Sequence, residues 1–460
     1  MDTFRDYFFD FETKFFLPFL LFCKYRFSFW SLKDIQAYQQ KRTRKIAEYA
    51  MRHTKYFHTL YSGHDLERFE SLPTVNKKIM MENLTDANTF GFTKEEIDTF
   101  CLEIDRTRDF SKRLHGFNIG MSSGTSGNKG VAIISPREEQ YMKAALLARF
   151  DFPKHEKIIL AFILRVSAPA FNLDKFGHKL TYISQMNTIE EISKQLNALQ
   201  PNVISAPASM LKLIAKEIEH GKLSVHPIRV ISYAEVLHPD VKEYIETVFA
   251  CPVHQVYQCT EGPIAISCKH GSLHINEDLM FVETLNLDGT VTPPGQPCQK
   301  FIVTDLHKTS QPIIRYELND LVTISPDACA CGSAFRVITS IQGRSDDLFW
   351  AKHTETHAWQ FIFPDYISRA IITSSDAIDE FQVIQNAPDD ILLRLELKNG
   401  INPSQFDQNP TRHKIEQVFL DYHCPAPSIT ISFEKPEANK RSQKLIRIHR
   451  NFALSSYDAT

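Results

Sequence analysis

Residues 203–262, VISAPASMLKLIAKEIEHGKLSVHPIRVISYAEVLHPDVKEYIETVFACPVHQVYQCTEG, alternate short apolar runs with stretches of helical periodicity. The runs VISAP, IRVISYA and PVHQVYQ are rich in β-branched residues and short enough for strands. Between them, SMLKLIAKEIEH and HPDVKEYIETVFA repeat apolar residues every three or four positions. Such alternation implies a mainly parallel sheet covered by helices. The pattern extends upstream through KIILAFIL and TIEEISKQLNAL. From His274 to Ile324 it gives way to short strands and turns, NLDGTVTPPGQP among them, which implies an antiparallel subdomain.

Beyond IQGRSDDLFW the order is helix, strand EFQVIQN, turn APDD, strand ILLRLEL, helix TRHKIEQVFLDYH, strand SITISFE and a basic tail. The expected fold is therefore α/β. A large N-terminal domain, residues 1–345, carries helix-covered, mainly parallel sheets and the antiparallel subdomain; residues 346–460 form a small α+β domain. Asp346 lies at the expected hinge between them. Upstream, Leu32 to His58 reads as one long amphipathic helix, and LPTVNKKIMMENL as a proline turn followed by a helix with an asparagine at its N-cap.

The 460 residues carry 52 Lys+Arg against 55 Asp+Glu, a net charge of −3, which argues against duplex nucleic acid as partner and for a small ligand. The run FFLPFLLFC, Phe15 to Cys23, is too short to span a bilayer, contains Pro18 and follows an acidic start, so no transmembrane segment or signal peptide is expected. An aromatic helix packed on the body is the plainer reading, with contact to a membrane surface as the alternative. Nine cysteines without small-domain spacing suggest a reducing, cytoplasmic setting, where thiol clusters more often mean metal than disulfide. A homodimer is left open.

MSSGTSGNKG, Met121 to Gly130, holds three glycines and three serines before the apolar VAII. Glycines allow backbone N–H groups to wrap phosphate oxygens, hydroxyls add donors and Lys129 adds charge. The Walker spacing is absent, so the loop alone is weak evidence. Read with YQCTEG, PIIRYELND and IQGRSDD, however, it falls in the order and at the separations of the core motifs of the adenylate-forming superfamily of acyl and aryl ligases. Over about Lys41 to Arg450 the chain most resembles the branch holding phenylacetate-coenzyme A ligase and the synthetases that adenylylate a deazaflavin coenzyme.

That resemblance implies a small domain that rotates between two half-reactions: attack of a carboxylate on the α-phosphate of ATP, then transfer of the acyl group to a thiol or amine. Ser122, Ser123, Gly124, Thr125, Ser126 and Gly127 would cradle the β- and γ-phosphates, with Lys129 nearby, although the proline usual at the loop's end is missing and the loop is one residue shorter. Tyr257 would flank the adenine, Thr260 touch the α-phosphate and Glu261 hold Mg2+. Ala234 and Glu235 match the adenine-contacting segment, Asp320 the ribose-binding carboxylate and Arg344 a ribose-side arginine. Arg315 would reach the phosphates or order the site. Lys444 matches the C-terminal catalytic lysine, with Gln443 in place of the usual glycine and Lys440 as the fallback.

Cys329 and Cys331 form a C-x-C pair before a glycine, and SCKHGSLH offers Cys268 and His274, with His270 to spare; together these suit a structural Zn2+. Cys259 would pack near the nucleotide instead. The reading is thus an ATP- and Mg2+-dependent enzyme acting on a small-molecule carboxylate, with coenzyme A or a carrier protein as acceptor. The alternatives are adenylyl transfer to a hydroxyl and a catalytically silent nucleotide-binding regulator.

Overall fold

The computed structural model describes residues 16, 18–107, 109, 112–121, 130–150, 156–164, 179–185, 187–344, 348–362, 364–438 and 445–452. The chain divides into two compact units, residues 1–318 with 322–340, and residues 319–321 with 341–460.

The first unit is built on a nine-stranded sheet. Lys179–Ser184, Ile159–Leu164, Val203–Ala206, Arg229–Tyr233 and Val253–Cys259 run parallel in that order. The sheet then turns antiparallel through Gly262–Ser267, Leu273–Ile275 and Val337–Arg344, with Asp320–Ile324 at its edge. The division between the units falls within these last two strands. Helices Ile189–Leu199, Ala208–Glu219 and Pro239–Phe249 contribute Leu196, Leu211, Ile214 and Ile245 to a core shared with Ile204, Val230 and Val253. Val203–Ala206 is buried along its whole length, which is why VISAP lacks an in-and-out alternation. Thr188 and Glu191 form a capping box at the first of these helices, and Pro239 opens the third.

A second sheet of this unit orders Val75–Asn76, Tyr316–Leu318, Lys300–Asp305 and Met280–Leu285. A separate antiparallel pair joins Asn118–Met121 to Val131–Ile134, so the glycine-rich segment connects two paired strands. Two expectations hold in detail. Asn76 caps the helix Lys77–Glu82 by accepting from the Ile79 N–H at 3.0 Å, and residues 18–29 are helical with Cys23 buried. Phe15 and Leu17 of the apolar run lie outside the described residues. Among the described residues no helix is long and apolar enough to cross a membrane.

The single helix expected over Leu32 to His58 is instead two, Leu32–His53 and Lys55–Tyr61. Thr54 is extended (φ −133°, ψ 140°) and its hydroxyl accepts from the Phe57 N–H, starting the second helix. Buried Phe57 and Tyr61 continue the apolar spacing across the break, so periodicity alone does not reveal it.

The second unit holds a four-stranded sheet ordered Ser428–Ser432, Asp390–Leu397, Ile378–Ala387, Ile448–Arg450, together with helices Pro364–Ile372 and Asn409–Asp421 and the pair Phe349–Lys352 with Trp359–Ile362. Phe381, Val383, Leu393, Leu395, Ile415 and Phe419 form its core. Ile448–Arg450, read from sequence as part of a basic tail, is a strand parallel to Ile378–Ala387. Three residues are too few to show a strand's alternation.

Candidate functional site

The turn Thr260–Glu261 joins the last parallel strand to the first antiparallel one, at the carboxyl ends of the parallel strands where open α/β sheets receive ligands. Thr260 and Glu261 are half-buried and line a pocket with Met80, Met81, Gly130, Val131, Gln311, Ile313 and Tyr316. The Tyr316 hydroxyl hydrogen-bonds the Glu261 side chain; burial first, and then this carboxylate, push the Tyr316 phenol far above its ordinary range. Gly262 follows at the turn because a Cβ there would lie 3.0 Å from Met280 Sδ and 3.2 Å from Asp305 Oδ2. Tyr257 is half-buried, its ring near-parallel to Phe301 with centroids 6.2 Å apart.

Ala234 follows the strand Arg229–Tyr233 in a left-handed conformation, φ 64°, a strained state for a residue with a Cβ. Glu235 next to it accepts from the Ser209 N–H at 2.9 Å and the Ser209 hydroxyl at 3.1 Å, at the start of the helix Ala208–Glu219. This carboxylate thus holds a helix end against the strand end. Arg315, also left-handed at φ 44°, is buried and grips Glu283 with two nitrogens, at 2.8 and 3.1 Å, while a third donates to the Leu72 carbonyl. These contacts fix the segment that presents Tyr316.

Asp320 opens the edge strand Asp320–Ile324 and is half-buried, and Arg344 ends the strand Val337–Arg344. Ser122, Ser123, Gly124, Thr125, Ser126, Gly127, Lys129, Asp346, Lys440 and Lys444, and the side chain of Arg344, lie outside the described residues.

Sequence reasoning missed the framework of the pocket. Glu138 accepts from the Thr309 N–H at 2.6 Å, the Ser310 N–H at 2.8 Å and the Ser310 hydroxyl at 2.5 Å, while also closing the cap of its own helix on the Ser135 N–H. Gln311 brackets the strand after the glycine-rich segment: its Oε1 accepts from Ile133 at 3.0 Å and its Nε2 donates to Val131 at 3.2 Å. Asp305 accepts from the His307 and Lys308 N–H groups at 2.8 and 2.9 Å, and burial pushes its carboxyl up to about 6. The turn so formed aims the buried Lys308 at the Thr260 carbonyl, Nζ to oxygen 3.5 Å. The loop 305–311 therefore ties the glycine-rich strand pair to the Thr260–Glu261 turn.

At the antiparallel end, Cys268, His274, Cys329 and Cys331 bring four ligand atoms within 4.8 Å of one another. Cys268 and Cys329 sulfurs are 3.8 Å apart, and Cys331 Sγ is 3.3 Å from His274 Nε2. A tetrahedral ion with Zn–S bonds of about 2.3 Å would set sulfurs about 3.8 Å apart. His274 Nδ1 lies 2.8 Å from the Phe335 carbonyl, an acceptor that keeps the proton on Nδ1 and turns Nε2 toward the sulfurs. Burial lowers the His274 pKa, favouring the neutral ring a metal needs. N–H groups of Cys331 and Ser333 point at the sulfurs of Cys329 and Cys331 at 3.5 Å each. His270 is exposed and outside this cluster, and Cys259 points its thiol to the Gly262 carbonyl at 3.6 Å.

No protein-family model matches the chain. It is 22% identical over 393 residues to Protein CapK of Staphylococcus aureus, covering 80% of this chain and 79% of that protein. It is 26% identical over 223 residues to a phenylacetate-coenzyme A ligase of Pseudomonas putida, a match covering 46% of this chain and 48% of that enzyme, so only about half of the ligase is spanned. In structure it superposes on a 2-hydroxyisobutyryl-CoA ligase bound to an acyl-AMP with a TM-score of 0.72 at 16% identity, over 95% of this chain and 93% of that one. The fold is that of the adenylate-forming acyl and aryl ligases, and the sequence similarity includes the phenylacetate-coenzyme A ligases.

Proposed function

We propose that the protein adenylates a carboxylate, an aryl or other acyl acid, at the expense of ATP, releases pyrophosphate, and passes the acyl group to a thiol such as coenzyme A or a carrier protein. The observation that carries this reading is the pocket in which Thr260, Glu261 and Tyr316 meet Gly130 and Val131 at the end of the glycine-rich segment. A carboxylate is already a nucleophile at neutral pH, so the step needs positioning and charge neutralisation more than a base.

On this reading residues 122–127 and Lys129 hold the β- and γ-phosphates. Thr260 donates to the α-phosphate, Tyr257 and the Ala234–Glu235 turn border the adenine, and Asp320 and Arg344 take the ribose. Glu261, a half-buried carboxylate on the pocket wall, fits the hard-oxygen preference of Mg2+, which when bound neutralises phosphate charge. The Tyr316 hydroxyl donates to Glu261 and keeps its carboxylate aimed into the pocket. Rotation of residues 346–460 about Asp346 brings Lys444 to the reacting carboxylate and α-phosphate. Cys268, His274, Cys329 and Cys331 hold a structural Zn2+, whose four protein ligands leave it no place for substrate.

Pyrophosphate release from ATP and Mg2+ across a panel of aryl and acyl acids, with and without coenzyme A, tests the reading. Release with one class of acid, and a thioester when coenzyme A is added, is expected. ATP binding without release across the panel, or AMP appearing on a hydroxyl, would overturn it.

A further inference from the structure

The helix 18–29 is fixed on its inner face and apolar on its outer one. Inside, Cys23 is buried and its carbonyl accepts from Arg149 Nη1 at 2.6 Å. Arg149 also pairs with buried Asp278 at 2.6 Å and lies over the ring of Phe27 at 4.7 Å. Phe27 stands edge-on to His274 and Phe335, at 5.2 and 5.4 Å. Outside, Leu21, Phe22 and Tyr25 are each 56% exposed and Phe29 is 73% exposed. With about 100° of rotation per residue these four and exposed Pro18 share an arc of about 100°. Leu32, 54% exposed, opens the next helix. An exposed helix face normally carries charge; this one carries rings and leucines.

The borders of the stripe are basic. Lys24 falls on one side of the arc and Arg26 on the other, with Lys33 just beyond the helix, and Pro18 to Lys33 contains no acidic residue. Arg26 is held over the rings of Phe22, Trp30 and Tyr38, at 5.8, 5.1 and 4.8 Å, so its charge rides at the edge of the apolar surface. We propose that this face docks on the surface of an anionic lipid bilayer, the rings and leucines entering the headgroup layer and Lys24, Arg26 and Lys33 meeting lipid phosphates. A helix of this length, about 18 Å, lies on a bilayer and does not span it. A second copy fits less well, because a two-fold contact on this stripe sets the basic border against itself with no carboxylate in the segment to answer it.

Flotation of the full-length protein with vesicles tests the proposal, using phosphatidylcholine alone and an equal mixture with phosphatidylglycerol. Binding to the mixed vesicles, weakened by salt and by omission of the anionic lipid, is expected. Phe22→Ser with Phe29→Ser should lower that binding on the order of tenfold, and Lys24→Gln with Lys33→Gln should remove the preference for the anionic lipid. Phe29→Ala, which asks least of the fold, should give a smaller loss with an unchanged melting profile. Failure of the wild type to float, variants that float like it, or a solution dimer that Phe29→Ala dissociates in the absence of vesicle binding would each overturn the proposal. These readouts use no substrate, so they stand or fall apart from the adenylation reading.

Discussion

Lys308 Nζ lies 3.5 Å from the carbonyl oxygen of Thr260, inside the protein and one residue from Glu261. An ammonium carries three donors, so if ATP binds as proposed, contact with this carbonyl leaves donors for a phosphate oxygen beside Thr260. The Asp305 turn fixes the Lys308 backbone, and burial confines the side chain that leaves it. Lys308→Met should cut pyrophosphate release on the order of 100-fold, with the loss mainly in kcat/KM for ATP, and Lys308→Arg should recover part of it. An unchanged kcat/KM in the Met variant would leave Lys308 as packing.

Glu261 and Tyr316 share a hydrogen bond at the pocket wall, yet their substitutions should differ in kind. Glu261→Gln removes the charge and should abolish Mg2+-dependent turnover, a loss on the order of 1000-fold. Tyr316→Phe removes only the donor that steers the carboxylate, and should raise the Mg2+ concentration needed for half-maximal rate several-fold while sparing the maximal rate. A Mg2+ titration of pyrophosphate release separates the two; wild-type Mg2+ dependence in the Gln variant would remove Glu261 from the metal.

How far the site was legible depended on how local its causes are. The parallel half of the sheet shows in VISAP and IRVISYA because a strand buried on both faces must be continuously apolar. The cluster Cys268, His274, Cys329 and Cys331 could be named because C-x-C with a glycine is itself a local device, although the pairing of Leu273–Ile275 with Val337–Arg344 is what brings the two halves together. Glu138 and Gln311 could not be read. Their partners Ser310 and Ile133 lie 172 and 178 positions away, and neither residue type announces itself in its own segment. The break at Thr54 was hidden for the opposite reason, since the apolar spacing continues through it.

Arg315 and Glu283 are both buried and meet through two nitrogens. Burial raises the Glu283 pKa and the guanidinium opposes the rise, so removing the arginine leaves an unpaired buried carboxyl. Arg315→Met should destabilise the protein by about 3–5 kcal/mol in denaturant unfolding, and adding Glu283→Gln should return a good part of that. Equal losses in the single and double variants would mean that the Arg315 bond to Leu72 carries the effect instead.

The four-ligand cluster makes a stoichiometric prediction. Purified protein should contain about one Zn2+ per chain, and Cys331→Ser should lose it. Because His274 lies on the strand Leu273–Ile275 and the loop carrying Cys329 and Cys331 joins two strands of the main sheet, a strong chelator should lower the melting temperature even without substrate. Protein that is free of metal by elemental analysis and melts identically with and without chelator would return these thiols to ordinary packing.

Buried His307, together with buried His254, should weaken the fold in acid. The Nδ1 of His307 lies 3.2 Å from Arg42 Nη2, an obligatory donor, and its Nε2 lies 2.9 Å from the Tyr38 hydroxyl and 3.1 Å from the Asp278 carbonyl, so Nδ1 accepts, Nε2 donates and the ring is neutral. Burial, reinforced by the Arg42 charge, holds its pKa down at about 3, against 6.5 for a free side chain. The unfolded chain therefore binds a proton that the folded one refuses. The contribution is complete above pH 6.5 and is lost as pH falls toward 3. Asp305, pushed up to about 6 from 3.8, works the other way across that narrower interval, so the wild-type curve mixes both signs. His307→Gln keeps a polar amide at this position and cannot titrate. Between pH 6.5 and 5 it should lose about 1.6 kcal/mol less stability than the wild type in urea unfolding, the slope rising toward about 1.4 kcal/mol per pH unit for one proton. Parallel curves for the two proteins would show that His307 does not control the acid limb.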